Sequence, residues 1–583
     1  MPTLEWIGKS KVINHHQEVP FRVLERKYSF DENGQHNEDN GSENMIIRGD
    51  NLEALKALLP RYEGRVKCIY IDPPYNTGNE GWVYNDNVND PKIKKWLGEV
   101  VGKEGEDLTR HDKWLCMMYP RLKLLQKLLA EDGVIFISID DTEYANLKLT
   151  CDEIFGSNCF VSNISWQRTY STRNDSKGIV NEVEHLLVYS KQPNWSPNKL
   201  PRTAEMDSKY KNPDNDIAPW RSDNAYAADA ATHQGMVYAI QHPFTGKMLY
   251  PSNGAHWRYS QEVMLESMRG WCDYELRDLN DAHERAVVCG VADKDVRQGV
   301  QAIVLSEPLE ISAQKAQAVY DRGQWPRFFF TKGGKGGIAR KTYLENVGGK
   351  LPTNFWPFSE TGHTDEAKKE MLAIFDGKAT FDTPKPRRLL EFVLKVAGSE
   401  DALILDSFAG SGTTAHAVLN MNKADGGHRK FILVEMMDYA DSITAERVKR
   451  VIQGYGAGKT GVEGTGGNFS FYDLGEPLLV GDCLNEAVAP EKIREYIWFM
   501  ETKTPYTPPA GDNPYYLGKH NSTGYYFYYE PQRVTVLDYA FLSTITEKAD
   551  GTVIYADRCS ISEDKLAQMG ITFKKIPRDI SRL

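Results

Sequence analysis

The chain has 583 residues, a mass of 66.1 kDa, a formal net charge of −11 and a sequence pI of about 5.7. This length excludes a small disulfide-stapled scaffold and suggests about three to five domains of roughly 100–200 residues each. The acidic balance excludes binding to nucleic acid through overall charge, so a DNA-binding face would need basic residues concentrated in one place.

The sequence offers no sign of a membrane segment, a secretory signal or a metal site. No apolar run approaches the ~18 residues of a membrane helix, and residues 1–12 lack the apolar stretch of a signal peptide. The eight cysteines include no C-x-x-C pair, so neither a zinc ribbon nor a disulfide framework is indicated. We therefore expect a cytoplasmic protein without bound metal and without membrane contact.

The first third of the chain predicts an α/β domain. Residues 31–44 are polar and acidic and are interpreted as a linker that closes an N-terminal segment, 1–44. After it, apolar runs predict strands at 65–71, 134–139 and 184–189, and helical spacing predicts a helix over 114–130, with Pro120 as a kink or a start. Strands that alternate with helices indicate a mostly parallel sheet.

The regular pattern stops at about residue 191 and resumes after 349, which predicts an inserted domain. A helix at 387–397 and strands at 402–405 and 431–434 then continue the α/β pattern. Residues 454–468 contain seven glycines and predict a flexible connector before a smaller α/β module. The predicted divisions of the chain are 1–44, 45–190, 191–349, 350–453, 454–468 and 469–583.

The first chemical signal is Asp72-Pro73-Pro74-Tyr75, which directly follows the strand predicted at 65–71. Open α/β sheets bind their ligands at the carboxyl ends of parallel strands, so this position favours a functional turn. A proline-stiffened turn with an incidental aspartate is the alternative, because Asp-Pro is common turn chemistry.

The second signal is a strand, a Gly-x-Gly turn and a helix over residues 405–414. Gly410 and Gly412 would let the backbone approach a ligand that faces the start of the helix. Glu435 ends the next strand, where a carboxylate can accept hydrogen bonds from a ribose diol. The missing third glycine argues against NAD and leaves a mononucleoside-type cofactor, with a simple tight turn as the alternative.

Together the two motifs resemble the catalytic and cofactor signatures of S-adenosylmethionine-dependent amino-methyltransferases of DNA. The catalytic motif comes first, which resembles the β-class order, and residues 383–386 resemble the Thr-x-Lys-Pro motif of that class. Further segments resemble the modification subunits of Type III restriction–modification systems: residues 49–55, 69–78, 135–141 and 152–156. The resemblance covers 45–190 and 345–440 well, and the C-terminal module less specifically.

The resemblance implies a Rossmann-like class I methyltransferase fold, circularly permuted, in which 191–349 is the target-recognition domain. Asp72 and the Pro73 carbonyl would accept hydrogen bonds from the target amine, which localises the nitrogen lone pair for attack on a sulfonium methyl group. Pro74 would shape the turn, and Tyr75 would stack on a base flipped out of the duplex. The residues expected to bind S-adenosylmethionine are Lys385, Asp406, Phe408, Gly410, Gly412, Thr413 and Glu435.

A basic stretch in the insert is the candidate DNA contact. Residues 327–350 contain six basic residues and one acidic residue, interleaved with glycines and aromatic residues. A solvated basic loop is the alternative interpretation. The side chains proposed to contact DNA are Lys332, Lys335, Arg340 and Lys341.

The expected function is therefore transfer of a methyl group to adenine N6 in double-stranded DNA. The resemblance implies a homodimer and a separate restriction subunit with helicase and nuclease functions, because the chain has no convincing P-loop or nuclease motif. Four alternatives stay open: a cytosine-N4 enzyme, a solitary methyltransferase, a methyltransferase of RNA or protein amides, and a catalytically idle DNA-recognition subunit. No rule converts the insert into a recognised base sequence.

Overall fold

The computed structural model describes residues 3–77, 95, 99, 110–170, 179–456, 458, 461–510 and 513–578. It divides into two compact units, one formed by Met1–Asn198 with Pro352–Leu583 and the other by Lys199–Leu351. Within the described ranges, no helix is both long enough and apolar enough to cross a bilayer.

The chain before the insert forms the first part of the larger unit. Its strands are β1 (Arg22–Asp31), β2 (Gly34–His36), β3 (Met45–Arg48), β4 (Val66–Ile71), β5 (Leu129–Ile139), β6 (Phe160–Gln167) and β7 (Val183–Ser190). Its helices are α1 (Lys9–Val12), α2 (His15–Glu18), α3 (Asn51–Tyr62), α4 (Arg110–Leu128) and α5 (Tyr144–Phe155). Pro120 lies inside α4, so the prediction that a helix starts there is wrong.

The insert is a compact unit with its own aromatic core, which includes Trp220, Trp257, Trp271 and Phe328. Its strands are β8 (Trp220–Asn224), β9 (Tyr226–Ala228), β10 (Ile240–Gln241), β11 (Met248–Leu249), β12 (Ala255–Trp257), β13 (Tyr274–Arg277), β14 (Ala302–Leu305), β15 (Phe328–Phe330) and β16 (Ile338–Tyr343). Its helices are α6 (Ala204–Asp207), α7 (Gln261–Arg269), α8 (Ala282–Cys289) and α9 (Leu309–Arg322). This unit begins at Lys199 rather than at 191, and ends at Leu351 rather than at 349.

The chain after the insert completes the larger unit. Its strands are β17 (Phe355–Trp356), β18 (Leu403–Asp406), β19 (Lys430–Glu435), β20 (Gly454–Tyr455), β21 (Val462–Glu463), β22 (Phe469–Pro477), β23 (Leu479–Val480), β24 (Cys483–Leu484), β25 (Tyr516–His520), β26 (Thr523–Phe527), β27 (Val536–Leu537), β28 (Gly551–Ala556), β29 (Arg558–Cys559) and β30 (Ile571–Lys575). Its helices are α10 (Phe358–Thr361), α11 (Thr364–Ile374), α12 (Arg387–Ala397), α13 (Thr413–Asp425), α14 (Glu446–Gln453), α15 (Pro490–Thr502), α16 (Tyr539–Leu542) and α17 (Glu563–Gln568).

One eleven-stranded sheet organises the larger unit, in the order β17-β6-β7-β5-β4-β18-β19-β3-β22-β1-β2. The run from β5 to β22 is parallel, whereas β7 is antiparallel to both of its neighbours. Central strands such as β4 are buried almost throughout, as expected for a sheet covered on both faces. The expectation of an α/β fold with a mostly parallel central sheet is confirmed.

One end of the sheet is formed by residues that the predicted divisions placed outside the α/β domain. Strand β1 pairs with β22 and β2, so the segment 1–44 contributes to the sheet and is not a separate segment with a linker. Strand β22 also pairs in parallel with β3, so the boundary at 469 is wrong: the first nine residues of the predicted C-terminal module belong to the sheet. A four-stranded sheet of β25, β26, β28 and β30 follows.

Candidate active site

The two sequence motifs follow neighbouring strands. Strand β4 ends at Ile71, immediately before Asp72, and strand β18 ends at Asp406, immediately before the glycine turn. These strands are parallel and adjacent, since Ile404 pairs with Cys68 and Leu405 with Ile69. Their carboxyl ends therefore lie side by side, although 334 positions separate residue 72 from residue 406.

Hydrogen bonds to residues elsewhere in the chain fix the turn after β4. The Trp114 indole N–H donates a hydrogen bond of 2.7 Å to the Pro74 carbonyl. Asn76 adopts a left-handed conformation, with φ of 61°, and its side chain donates to the Arg110 carbonyl at 3.1 Å. Among the described residues, no donor engages the Pro73 carbonyl, so this oxygen remains available beside Asp72.

Asp72 lies in a buried charged group that we name the Asp72 cluster: Asp72, Tyr75, Arg168, Glu184 and Lys385. The Lys385 ammonium donates to both carboxylate oxygens of Asp72 at 2.8 Å and to the Tyr75 hydroxyl at 2.9 Å. The Tyr75 hydroxyl also lies 2.9 Å from Asp72 Oδ1 and 3.2 Å from Glu184 Oε2. Arg168 donates to the other Glu184 oxygen at 2.8 Å. Two carboxylates and two cations thus balance in this cluster, in which Arg168 is the most exposed member.

Burial and charge oppose each other in this cluster. Burial raises the pKa of Asp72 above its ordinary value, against the effect of the nearby Lys385 charge. Burial would also raise the pKa of Glu184, but the Lys385 and Arg168 charges outweigh it and hold that pKa below its ordinary value. Burial disfavours the Lys385 ammonium, yet Asp72 and Glu184 keep its pKa raised.

The Lys385 ammonium makes a contact that the sequence analysis did not predict. Lys385 is among the residues expected to bind the cofactor, and in the structure its ammonium contacts the Asp72 carboxylate. Tyr75 was expected to stack on a base. Its ring is buried, and the Lys385 ammonium lies 5.0 Å from the ring centroid. Both predicted roles stay predictions.

The glycines of the second turn are required by the local geometry. Gly410 and Gly412 have φ of 51° and 79°, a region that side-chain-bearing residues rarely adopt. A Cβ on Gly410 would lie 3.2 Å from the Phe381 ring, and one on Gly412 would lie 3.0 Å from the Thr444 carbonyl oxygen. The turn therefore presents bare backbone at the start of α13.

Two buried carboxylates fix this turn. Asp406 accepts hydrogen bonds from the Phe408 N–H at 3.1 Å and from the Thr414 hydroxyl at 2.5 Å. Glu435, at the end of β19, accepts from the Gly410 N–H at 2.8 Å and the Met437 N–H at 3.0 Å. Burial raises the pKa of Asp406 and the pKa of Glu435 to about 7 each.

The remaining predicted cofactor residues also lie at this turn. Phe408 is half-buried and packs against the main core. Thr413 opens α13, and its hydroxyl accepts a hydrogen bond of 2.7 Å from the buried guanidinium of Arg447. Arg447 in turn contacts Glu370 at 3.1 Å.

Several residues that order the site were missed from the sequence. The pairing of distant strands brings Glu184 to Tyr75 and Lys385, and Arg168 in turn contacts Glu184. Asn51 donates to the Ser407 carbonyl at 3.1 Å, which ties the start of α3 to the glycine turn. Asp50 caps α3 by accepting from the Leu52 N–H at 2.8 Å. The capping position was visible in the sequence, but its contact with residue 407 was not.

The basic residues of the insert do not form one exposed set. Lys332 and Lys335 are exposed in the turn between β15 and β16. Arg340 is paired with Asp223 at 3.0 Å. Lys341 has no exposed side-chain surface and donates to Asp214 and Asp216 at 2.5 Å each. The prediction that Lys341 contacts DNA is therefore wrong, because its ammonium neutralises two carboxylates inside the insert.

Comparison with known proteins agrees with this site. The family described as DNA methylase matches residues 66–446, which is more than half of the chain. The chain therefore belongs to the DNA methylase family.

The similar proteins include modification subunits. The Type III restriction-modification enzyme StyLTI Mod subunit of Salmonella typhimurium is 34% identical over 440 residues, which cover 71% of this chain and 58% of that protein. The EcoPI Mod subunit of Escherichia phage P1 is 30% identical over 453 residues, which cover 74% of this chain and 63% of that protein. The chain thus spans about three fifths of the length of these relatives.

One solved structure matches a similar share of the chain at low sequence identity. The PvuII DNA methyltransferase (cytosine-N4-specific) shares 13% sequence identity, and the match covers 70% of this chain and 86% of that chain with a TM-score of 0.32.

Proposed function

We propose that this chain transfers a methyl group from S-adenosylmethionine to N6 of adenine in double-stranded DNA. The observation that carries the proposal is the adjacency of the Asp72 turn and the glycine turn at one edge of the sheet. Membership in the DNA methylase family and the similarity to Type III Mod subunits support the same reaction.

The residues of the glycine turn fit a nucleoside cofactor. Bare backbone at Gly410 and Gly412 allows close approach, and Glu435 has further lone pairs for ribose hydroxyls. The Ser407 hydroxyl oxygen is buried and has no hydrogen-bond partner among the described residues, so a polar ligand group would satisfy it. S-adenosylmethionine, when bound, supplies an electrophilic methyl group on a sulfonium centre.

The protein's part in the reaction is orientation and electrostatics. Asp72 and the Pro73 carbonyl accept hydrogen bonds from the exocyclic amine, which draws its lone pair out of conjugation with the ring and aims it at the methyl group. The contact between Trp114 and Pro74 keeps the two acceptors in register. No covalent link to the protein is needed.

The proposal also covers the target base, the partner subunit and the oligomeric state. Adenine is favoured over cytosine because family members that act on cytosine N4 more often carry Ser at the position of Asp72. We place the activity in the cytoplasm, on duplex DNA, with the insert as the recognition domain. Two relatives are named as Mod subunits of restriction enzymes, which supports a separate restriction subunit as partner. We also propose a homodimer, which light scattering on the purified chain would test.

The variant Asp72→Ala separates catalysis from binding. It should reduce methyl transfer to unmethylated genomic DNA by at least about a thousandfold, because an essential acceptor is lost, while calorimetry should show S-adenosylmethionine binding within a few-fold of the wild type. Transfer at the wild-type rate would contradict the assignment of the catalytic turn. Sequencing with modified-base detection on DNA from expressing cells would identify the methylated atom and site. N4-methylcytosine would favour the alternative base.

A further inference from the structure

We propose that Glu184 is a positioning residue of the catalytic centre, which receives the Lys385 ammonium when the target amine takes its place on Asp72. The inference rests on the proposed function and assigns a role to a residue outside both sequence motifs.

The contacts of Asp72 in the structure conflict with its proposed role as an acceptor for the target amine. Asp72 must accept a hydrogen bond from the target amine, yet both of its oxygens already accept from Lys385 at 2.8 Å. Tyr75 lies 2.9 Å from one of them as well. The incoming amine therefore competes with an ammonium that is itself a strong, charged donor. Lys385 has to loosen its hold on Asp72 for the reaction to proceed.

The ammonium has one short path away from Asp72. Its side chain is only 10% exposed, so release toward water is blocked, and a buried charge without a partner is costly. Glu184 Oε2 lies 3.6 Å from Lys385 Nζ, beyond hydrogen-bond distance but within reach of a shift of about 1 Å. The Tyr75 hydroxyl, 2.9 Å from Nζ, can stay in contact with it throughout.

Glu184 is held in place to receive that charge. Arg168 fixes Oε1 at 2.8 Å and leaves Oε2 directed at Lys385 and Tyr75. The carboxylate lies on β7, whereas Asp72 follows β4, with β5 between the two strands. The position of Glu184 is therefore set by a different strand from the one that precedes Asp72. Loss of its charge would leave two cations against one carboxylate and would tighten Lys385 on Asp72.

The test is a double-mutant cycle on the full chain. Glu184→Gln keeps the size of the side chain and should lower kcat for methyl transfer to unmethylated genomic DNA by about 10- to 100-fold, the range of one charge-assisted hydrogen bond. The Kd for S-adenosylmethionine should stay within about twofold. In a Lys385→Met background the same change should cost less than about threefold, because the competitor is gone. Glu182→Gln removes a nearby charge from outside the cluster and should leave kcat unchanged.

Several results of this cycle would contradict the inference. Wild-type kcat in Glu184→Gln, additive losses in the double variant, or complete loss of transfer in Lys385→Met would each overturn the inference. So would a large rise in the Kd for S-adenosylmethionine in Lys385→Met, because the ammonium would then serve the cofactor. If Glu184→Gln does not fold, Glu184→Asp keeps the charge and should retain more than about a tenth of kcat, while a lower value counts against the inference. A wild-type chain that binds the cofactor but methylates no DNA would instead refute the proposed function.

Discussion

The buried carboxylate of Glu435 predicts that cofactor affinity depends on pH. Its pKa is raised by burial to about 7, and its oxygens accept from the Gly410 and Met437 N–H groups. The ribose hydroxyls proposed to bind there need the same ionised oxygens as acceptors. A proton on Glu435 would convert an acceptor into a donor that faces backbone donors. Affinity for S-adenosylmethionine should therefore rise as the pH rises through about 7.

The magnitude follows from the fraction of protein that is competent to bind. When only the ionised form binds, the apparent Kd exceeds its limiting value by one plus ten to the power of pKa minus pH. With a pKa of about 7, the factor is about 11 at pH 6 and about 1.1 at pH 8. The Kd should thus fall about tenfold between these pH values.

The variant Glu435→Gln isolates this effect. Calorimetric titration of S-adenosylmethionine at pH 6, 7, 8 and 9 gives the ratio of variant to wild-type Kd at each pH, in which the titration of the cofactor's own amine cancels. The ratio should grow about tenfold from pH 6 to pH 8, since the wild type improves and the amide cannot ionise. Asp406→Asn tests the second buried carboxylate of the turn separately, since its pKa is also raised to about 7 and its oxygens accept from the Phe408 N–H and the Thr414 hydroxyl. A ratio that does not change with pH would refute the reasoning.

Four further predictions concern stability and DNA binding. The raised pKa of Glu435 means that the folded state holds a proton that the unfolded state releases between about pH 4.5 and 7, so Glu435 should lower the stability by about 3 kcal/mol as pH rises through this window. Asp406, whose pKa is also raised to about 7, adds to the fall, so thermal melts of Glu435→Gln should show a smaller fall than those of the wild type. Lys341→Met should destabilise the insert by about 3–5 kcal/mol in denaturant titrations, because it leaves the Asp214 and Asp216 carboxylates without their cation. The exposed Lys335→Met should change stability by less than about 0.5 kcal/mol. The double variant Lys332→Met/Lys335→Met should reduce the slope of log affinity against log salt by about 2 if both contact phosphates, and an unchanged slope in fluorescence anisotropy would remove them from the interface. A chain that stops before Phe469 should be insoluble, whereas one that stops after Pro477 should keep the sheet, as limited proteolysis would report.

Local signals were sufficient to find the two turns that form the candidate site. Each consists of a buried apolar strand followed at once by its chemical residues, so its position at the sheet edge followed from the sequence. The helix predicted at 387–397 matches Arg387–Ala397, and the predicted strands lie within one residue of β4, β7, β18 and β19 at each end. Strand β5 begins five residues earlier than predicted, at Leu129, because it continues through Asp132 and Gly133.

No local sequence pattern indicated the contacts between residues that are far apart in the chain. The carboxylates that bury Lys341 lie more than a hundred positions away, so a basic stretch was interpreted as a surface. The same holds for Glu184, 112 positions after Asp72, which only the pairing of strands brings to the site. Strand β1 is different: Tyr28 and Phe30 alternate with Ser29, a pattern of period two that could have identified a strand before the polar residues 31–44.

The Asp72 cluster also bears on the end of the reaction. The methylated amine carries an extra proton, which an adjacent base must accept. Burial already raises the pKa of Asp72, and the Lys385 charge is the main influence that lowers it. Movement of that ammonium toward Glu184 would weaken the lowering effect once the amine is bound. In the proposed reaction, Asp72 would then become the better proton acceptor at the moment when the proton has to leave.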